Sequence, residues 1–308
     1  MAENFPMRSL MFVPAHNLKL MKSAIKTDAD ILLLDLEDSV QPKVNKQVAR
    51  DNVIEFIKKE KFKRFHVFPR VNDRESGELL RDIVQLTIEG IDGFMYPKAK
   101  TGQDIYFFDK LLETIEYQKE IPIGTFKIIP LIETASSVLH AEEICAASKR
   151  IIAIAFGNED YLADIQGIND ESASTIFTAR TLIAIAARSQ NVAPIDTVHT
   201  KVHDLEDLEK NIKVAKKLGF EGMLVLHPKE LDLVHKYYSP TQEEVLEAEK
   251  MVKAFEESQK NGAGVAIVEG KFVGPPLVKN AINLLKRHNK IMKKSNSLKN
   301  MEQFVTIK

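Results

Sequence analysis

The sequence lacks several features that would place it in a special class of protein. Its single cysteine, Cys145, excludes an intramolecular disulfide and fits a reducing compartment. No apolar run approaches the roughly 18 residues that a membrane helix needs. The N-terminal segment MAENFPMRS has neither the charged nor the apolar region of a signal peptide. We therefore expect a cytoplasmic protein.

Net charge and common cofactor motifs are also missing. The 43 basic and 44 acidic residues give a net charge of −1, so we expect neither nucleic acid nor a membrane as partner. There is no CxxC spacing for zinc, no phosphate-binding glycine loop and no Ser/His/Asp arrangement. Cys145 lies on an apolar helical face, which indicates core packing rather than a nucleophile.

Short apolar runs alternate with amphipathic stretches along most of the chain. The eight runs are Ser9–Val13, Ile31–Asp35, Phe65–Phe68, Asp92–Tyr96, Lys127–Ile132, Ile151–Phe156, Val192–Val198 and Gly222–Leu226. The stretches with helical period include Asn45–Lys59, Ser76–Glu89, Asp104–Gln118, Ala135–Ser148, Ser174–Gln190 and Leu205–Leu218. Eight βα units predict an α/β fold, a (β/α)8 TIM barrel, with an open doubly wound sheet as the alternative.

The rhythm changes after the eighth run. A capping box at Thr241 opens a helix to about Ser258, a strand pair turns at Glu269-Gly270, and a helix runs from about Pro276 to His288. The Lys/Ser/Asn-rich stretch 290–308 predicts a loosely ordered tail. We therefore expect a catalytic barrel over residues 1–235 and a C-terminal helical arm with a basic tail over 236–308.

Acidic residues and one arginine recur where the predicted strands end. They are Asp35, Glu37, Asp38, Arg70, Glu133, Asp160 and Asp196. The carboxyl ends of barrel strands form the active site in this architecture. Glu133 and Asp160 come from neighbouring strands, and Mg²⁺ commonly takes one or two protein carboxylates. We expect them to hold the metal.

The remaining residues at these ends suit supporting roles. The planar guanidinium of Arg70 suits a substrate carboxylate or a developing oxyanion. Asp35, Glu37 and Asp38 could orient metal-bound waters. Gly157 fits either the close approach of a ligand or a tight turn.

The order of seven segments resembles the citrate lyase beta-subunit-like family within the HpcH/HpaI aldolase superfamily. These are RSLMFVPA (8–15), DILLLDLEDSV (30–40), PRVN (69–72), PLIETA (130–135), FGNEDY (156–161), IDTV (195–198) and GFEGMLVLHP (219–228). The resemblance covers nearly the whole chain, and together these segments are specific for the family.

The resemblance implies a Mg²⁺-dependent carbon–carbon lyase that acts on citramalyl-CoA, malyl-CoA or citryl thioesters. In that pattern Glu133 and Asp160 hold magnesium and Arg70 binds substrate. Lys19, Lys22 and Leu226-His227 fall where the family holds CoA. Independently of the resemblance, the cleavage must remove the proton of the 3-hydroxyl, and we expect Glu37 or Asp38 to act as the catalytic group that shuttles it through water. A homo-oligomer, trimer or hexamer, is implied as well.

One position departs from the family pattern. Related enzymes often carry an aspartate in the arm, where this chain has Gly274 in the segment FVGPP. Three alternatives stay open beside the CoA-ester lyase, and Gly274 supports only the last of them. They are a citrate lyase beta subunit acting on an acyl-carrier-protein thioester, a CoA-free aldolase on hydroxy-oxo acids, and a non-catalytic scaffold subunit.

Overall fold

The computed structural model describes residues 5–59, 65–168 and 174–305. Met7–His235 form one compact unit, and the chain from Lys236 onward forms a second together with Phe5 and Pro6. The predicted N-terminal segment lies partly outside the described residues, and so do the last three residues of the predicted tail.

The first unit is built on an eight-stranded parallel sheet. Its strands are β1 (Ser9–Pro14), β2 (Ile31–Asp35), β3 (His66–Val67), β4 (Gly93–Tyr96), β5 (Lys127–Ile132), β6 (Ala153–Phe156), β7 (Ala193–Asp196) and β8 (Gly222–Val225). Their hydrogen-bonded order is β3-β2-β1-β8-β7-β6-β5-β4. Strands β2, β4, β6 and β8 are buried along their whole length, as expected for strands covered on both faces.

The two ends of this order meet next to β3 and β4. The N–H of Met95 donates to the carbonyl of Pro69, and the N–H of Val71 donates to the carbonyl of Met95. Arg70 itself pairs with Asp35 on one side and with Met95 on the other. These bonds close the sheet into a barrel, which confirms the TIM-barrel prediction and excludes the open sheet.

Helices connect the strands on the outside of the barrel. They are α1 (Leu18–Ala24), α2 (Asn45–Lys59), α3 (Leu79–Leu86), α4 (Gly102–Gln118), α5 (Ala135–Leu139), α6 (Ala141–Ala146), α7 (Asn158–Asp164), α8 (Ser174–Ser189), α9 (Leu205–Leu218) and α10 (Leu231–Tyr238). The prediction of one continuous helix over Ala135–Ser148 is wrong, because the helix is interrupted at His140. The His140 ring Nδ1 lies 2.8 Å from the Ser136 carbonyl oxygen, an acceptor that the His140 N–H also uses.

Two strands begin at glycines because no side chain fits there. A Cβ on Gly93 would lie 2.3 Å from the carbonyl oxygen of Lys127 and 2.4 Å from the ring of Phe68. A Cβ on Gly222 would lie 1.7 Å from the carbonyl oxygen of Met7. Close packing of the barrel strands therefore depends on these positions.

The second unit consists of two helices and a hairpin. Helix α11 (Gln242–Lys260) begins at the predicted capping box of Thr241 and Glu244. Strands β9 (Ala266–Val268) and β10 (Lys271–Val273) pair antiparallel. They turn at Glu269 and Gly270, whose φ angles are 50° and 79°. Helix α12 follows (Pro275–Val305).

The prediction of a loosely ordered tail from residue 290 is wrong over the described residues. Helix α12 runs for 31 residues, well past His288. After Pro276 the sequence contains neither glycine nor proline, so nothing in it breaks the helix. Val278 and Ala281 on α12 are buried, and Val278 packs in a cluster with Phe255 of α11 and Val273 of β10.

No helix within the described ranges is both long and apolar enough to cross a bilayer.

Candidate active site

A cavity of about 450 Å³ opens at the carboxyl ends of the barrel strands. Its walls combine charged and polar groups with apolar side chains. The lining residues are Phe12, Pro14, Asp35, Asp38, Ser39, Arg70, Leu131, Glu133, Gly157, Asn158, Glu159, Asp160, Val198, Leu224 and Leu226. The size is within the range of sites that hold small molecules. Barrels of this kind place their active sites at this face.

Arg70 is buried in this wall and is held by several acids at once. Its Nε and Nη2 donate to the two oxygens of Asp35 at 2.7 and 2.9 Å. Its Nη1 lies 2.9 Å from Glu37 Oε2 and 3.1 Å from Asp38 Oδ2. The guanidinium carbon also lies 4.9 Å from the centre of the Phe12 ring, a cation–π contact. The guanidinium is therefore fixed in one orientation beside the cavity.

The two buried acids beside Arg70 differ in their ionisation. Burial raises the pKa of Asp35, but the Arg70 charge and hydrogen bonds outweigh it and lower that pKa to about 2. Burial raises the pKa of Glu37 to about 7, against the opposing effects of Arg70 and Lys98. Asp35 is thus a permanent counter-ion of the guanidinium, whereas Glu37 titrates near neutral pH.

Glu133 is almost fully buried and follows β5. Its Oε1 accepts a hydrogen bond of 2.6 Å from the backbone N–H of Lys98. No donor within the described residues bonds to Oε2, and the side chain lines the cavity. Burial, together with the charges of Glu37 and Asp160, raises the pKa of Glu133 to about 8. The site therefore disfavours an ionised Glu133 unless a cation accompanies it.

Gly157 makes room for Glu133. A Cβ at Gly157 would lie 2.8 Å from the Cβ of Glu133 and 3.0 Å from its Oε2. Gly157 has a φ of −101°, which any residue adopts. The glycine is thus required by the volume of the Glu133 side chain, not by turn geometry.

Asp160 lies in the first turn of α7, directly after β6. Its side chain is exposed at the cavity, and its charge is among those that raise the pKa of Glu133. The preceding Asn158 is fixed from β7, because its N–H donates to Thr197 Oγ1 at 3.2 Å. The structure therefore brings Glu133, Asp160 and Arg70 to the same cavity.

The donor set of this cavity suits a hard divalent cation. Five carboxyl groups line it together with the guanidinium of Arg70; they are Asp35, Asp38, Glu133, Glu159 and Asp160. Glu37 and Lys98 form an ion pair behind this lining. Among the described residues, no three His, Cys, Asp or Glu side chains are arranged to hold an ion by themselves. An ion bound by Glu133 and Asp160 would therefore take its remaining ligands from water or substrate, which is the usual coordination of Mg²⁺.

The residues predicted to hold CoA are not all at the cavity. Leu226 lines it, but Lys19 and Lys22 lie exposed on α1 and His227 is half-buried beyond β8. The backbone N–H groups of Leu226 and His227 are held by Glu230 Oε2, at 3.1 and 3.4 Å. A role for these four residues in binding CoA stays a prediction.

Sequence reasoning missed two lysines at the site. Lys98 follows β4 and donates to Glu133 through its backbone, while its Nζ lies 2.7 Å from Glu37 Oε1. Lys46 of α2 is buried, and its Nζ donates to the carbonyls of Leu36 and Glu37, both at 2.7 Å. Only a lysine at a strand end, as in Pro97-Lys98, could have indicated the first, and we find no signal in the sequence for the second.

Asp196, at the end of β7, forms an ion pair with Arg180 away from the cavity. Arg180 of α8 donates to both of its oxygens, at 2.9 and 3.0 Å, and both side chains are buried. Asp196 is a partner of Arg180 and does not line the cavity.

Comparison with protein families gives one match over most of the barrel. Residues 8–228 match the model of the HpcH/HpaI aldolase/citrate lyase family. The chain is 32% identical over 282 residues to the citrate lyase subunit beta of Leuconostoc mesenteroides subsp. cremoris, which covers 92% of this chain and 93% of that protein. It is 29% identical over 298 residues to the L-malyl-CoA/beta-methylmalyl-CoA lyase of Cereibacter sphaeroides, with 90% and 92% covered.

Solved structures share the fold. The protein CitE from Mycobacterium tuberculosis in complex with magnesium, acetoacetate and coenzyme A has a TM-score of 0.72 at 24% identity, covering 94% of this chain and all of that chain. The same protein in complex with magnesium and pyruvate has a TM-score of 0.64 at 25% identity, covering 77% and 92%.

Proposed function

Because this chain belongs to the HpcH/HpaI aldolase/citrate lyase family and is a carbon–carbon lyase, we propose that it cleaves a 3-hydroxyacyl-CoA thioester with the help of Mg²⁺. The products are acetyl-CoA and a 2-oxo acid. Citramalyl-CoA would yield pyruvate, malyl-CoA glyoxylate and citryl-CoA oxaloacetate.

One observation carries this proposal. Glu133 and Asp160 line one cavity with Arg70, and Glu133 is buried with its Oε2 lacking a donor among the described residues. Burial, together with the charges of Glu37 and Asp160, raises the pKa of Glu133, and a bound cation would offset both effects. We assign Glu133 and Asp160 as the metal ligands.

The cleavage transfers negative charge from the 3-hydroxyl oxygen to the thioester. The 3-hydroxyl loses its proton, the bond between C2 and C3 breaks, and its electron pair passes to the thioester as an enolate. That enolate takes up a proton at C2 to give acetyl-CoA. Bound Mg²⁺ would supply Lewis-acid polarisation of the substrate's carboxylate and hydroxyl oxygens.

Arg70 suits the stabilisation of the enolate or of the substrate carboxylate. Asp35, Glu37 and Phe12 already hold its guanidinium in place, so it need not reorganise as negative charge develops. A guanidinium that keeps its charge and its orientation stabilises a developing oxyanion.

Of the two acids proposed to move the proton, Asp38 is the better placed. Asp38 lines the cavity and its side chain is 55% exposed. Glu37 lies behind the cavity wall between Arg70 and Lys98. We therefore assign Asp38 the relay of the hydroxyl proton through water, and Glu37 the support of Arg70.

The comparisons support the choice of substrate class. The CitE structure that resembles this chain binds magnesium and coenzyme A, and the Cereibacter enzyme is named for malyl-CoA. The cavity's apolar residues, such as Leu131, Leu224 and Leu226, fit the carbon chain of an acyl group beside the charged wall.

A second candidate is a citrate lyase beta subunit that uses a carrier-protein thioester. It is favoured by the 31–32% identity to proteins of that name. Gly274 leaves the arm without a carboxylate at the position discussed above, so the proton relay in either candidate depends on the barrel. Assembly into a homo-oligomer stays a prediction.

The experiment is an assay of purified protein on citramalyl-CoA, malyl-CoA and citryl-CoA, each with Mg²⁺ and with EDTA. We expect Mg²⁺-dependent release of acetyl-CoA from one of them. Turnover only after addition of an acyl-carrier subunit would favour the second candidate. Turnover unchanged by EDTA would refute the metal-dependent proposal.

A further inference from the structure

Lys98 has a backbone conformation that is unusual for its residue type. Its φ is 53°, in the left-handed region that favours glycine. It directly follows Tyr96-Pro97 at the end of β4, on the face of the barrel that carries the cavity. Strained residues of this kind persist where the surrounding contacts determine them, and they are concentrated at functional sites.

The left-handed turn aims the main chain at the proposed metal ligand. The N–H of Lys98 donates a hydrogen bond of 2.6 Å to Glu133 Oε1. This is a short bond to a nearly fully buried carboxylate, and it leaves Oε2 for the cavity. The backbone of Lys98 therefore sets the orientation of Glu133.

The side chain of the same residue reaches a second acid. Its Nζ lies 2.7 Å from Glu37 Oε1, while the other oxygen of Glu37 lies 2.9 Å from Arg70 Nη1. Asp38 Oδ1 and Asp73 Oδ2 are farther from Nζ, at 3.9 and 4.0 Å. Glu37 is thus gripped between an ammonium and a guanidinium.

We propose that Lys98 is a positioning residue that fixes Glu133 through its backbone and Glu37 through its ammonium, and so aligns the metal ligand with Arg70. The inference rests on the proposed function in taking Glu133 as a ligand of Mg²⁺. Lys98 itself lies outside the lining of the cavity, so it acts through these two acids. Such outer partners commonly contribute about 10- to 100-fold to metal affinity or activity.

The same loop offers a matched control. Lys100 lies two positions further along, is mostly exposed, and pairs with exposed Glu75 at 3.3 Å. Its backbone φ is not positive. Replacing Lys100 removes one ammonium from the loop without touching Glu133 or Glu37.

Four variants separate the two roles. Lys98→Met and Lys98→Gly both remove the ammonium, and both can keep the left-handed turn, glycine without strain. Lys98→Val also removes the ammonium, but its β-branched side chain disfavours a positive φ and so displaces the N–H from Glu133. Lys98→Arg keeps a cation near Glu37. Two readouts are needed, which are the affinity for Mg²⁺ alone by titration calorimetry and kcat on whichever CoA ester the wild type cleaves.

We expect kcat to fall about 10- to 100-fold in the Met and Gly variants, with Mg²⁺ affinity within about threefold of wild type and KM little changed. The Val variant should lose a further tenfold or so in Mg²⁺ affinity. Lys98→Arg should recover part of kcat, and Lys100→Met should match wild type in both measurements.

The outcomes distinguish this inference from the function beneath it. If wild-type protein binds Mg²⁺ and loses it in Glu133→Gln, but Lys98→Met keeps full kcat or Lys98→Val binds Mg²⁺ as well as Lys98→Gly, the role of Lys98 is refuted and the lyase stands. If the wild type fails to bind Mg²⁺, or Glu133→Gln binds it equally well, both are refuted.

Discussion

Arg70 and Asp35 form a two-pronged ion pair across neighbouring barrel strands, with N–O distances of 2.7 and 2.9 Å. Both side chains are buried, and the backbones of the two residues also pair. The same carboxylate accepts the N–H groups of Glu37 and Ser39, at 2.9 and 3.1 Å. One acid therefore fixes both the guanidinium and the loop that carries Asp38.

Asp35→Asn should destabilise the protein by about 3 kcal/mol at pH 7, because it leaves a buried guanidinium short of a partner. Arg70 lowers the folded-state pKa of Asp35 from 3.8 to about 2. A lowered carboxyl pKa contributes stability that is fully present above 3.8 and is lost as the pH falls through about 2. The difference between variant and wild type, measured by urea unfolding, should therefore shrink over that range.

The control for this pair is Asp38→Asn. Asp38 is 55% exposed; it bonds to Arg70 at 3.1 Å, and the Lys98 ammonium lies 3.9 Å away. Its replacement should cost below about 1 kcal/mol. Equal losses in the two variants would contradict the distinction drawn between them.

Asp160→Asn should abolish metal-dependent turnover while the fold survives. Asp160 is exposed on the first turn of α7, so we expect unfolding to shift by no more than about 0.5 kcal/mol. The neighbouring Glu159 is also exposed at the cavity, and its Oε1 accepts from Asn158. Glu159→Gln should therefore keep Mg²⁺ binding, as measured by calorimetry. Full turnover of Asp160→Asn, or of wild type in EDTA, would be incompatible with the assignment.

Gly157→Ala should displace Glu133 and so weaken Mg²⁺ binding. The added Cβ would meet Glu133 at 2.8 Å, so either Glu133 or the backbone must move. We expect a loss of about 1–3 kcal/mol in unfolding free energy and about tenfold or more in Mg²⁺ affinity. Gly264→Ala, where a Cβ meets nothing within 4 Å, is the matched control. Unchanged Mg²⁺ affinity in Gly157→Ala would show that Glu133 is not held as described.

Cys145 should be inert in the folded protein. Burial, aided by Glu142, raises its thiol pKa to about 12, so the thiol stays protonated at pH 8. A disulfide reagent such as Ellman's should release no colour from native protein at that pH and one equivalent after unfolding in urea. Rapid reaction of the native protein would mean that the thiol is not packed in the core.

Much of the barrel could be predicted because its strands have a distinctive sequence pattern. Runs such as Ile31–Asp35 are apolar on both faces, a pattern that parallel strands buried on both sides require. The carboxyl ends of barrel strands lie on one face of the barrel, so residues placed there must be close together. The sequence alone therefore predicts that Arg70, Glu133 and Asp160 share one site.

The features that the sequence did not predict depend on where side chains point and on the sign of the backbone φ angle. A lysine with φ of 53° looks like any other lysine in a sequence, so the link from Lys98 to Glu133 could not be foreseen. The space that Gly157 leaves for Glu133 arises between the ends of two neighbouring strands, and it depends on the position of the Glu133 side chain, which a sequence does not show. The tail was misjudged from composition, although the absence of glycine and proline after Pro276 favoured a continued helix.

The central claim is that Glu133 and Asp160 together bind a divalent ion beside Arg70. A crystal structure of the protein grown with Mg²⁺ and pyruvate tests it most directly. The account predicts one ion in contact with carboxylate oxygens of both acids and with the oxo acid, next to the Arg70 guanidinium. An ion bound elsewhere, or an oxo acid bound with neither acid nearby, would contradict it.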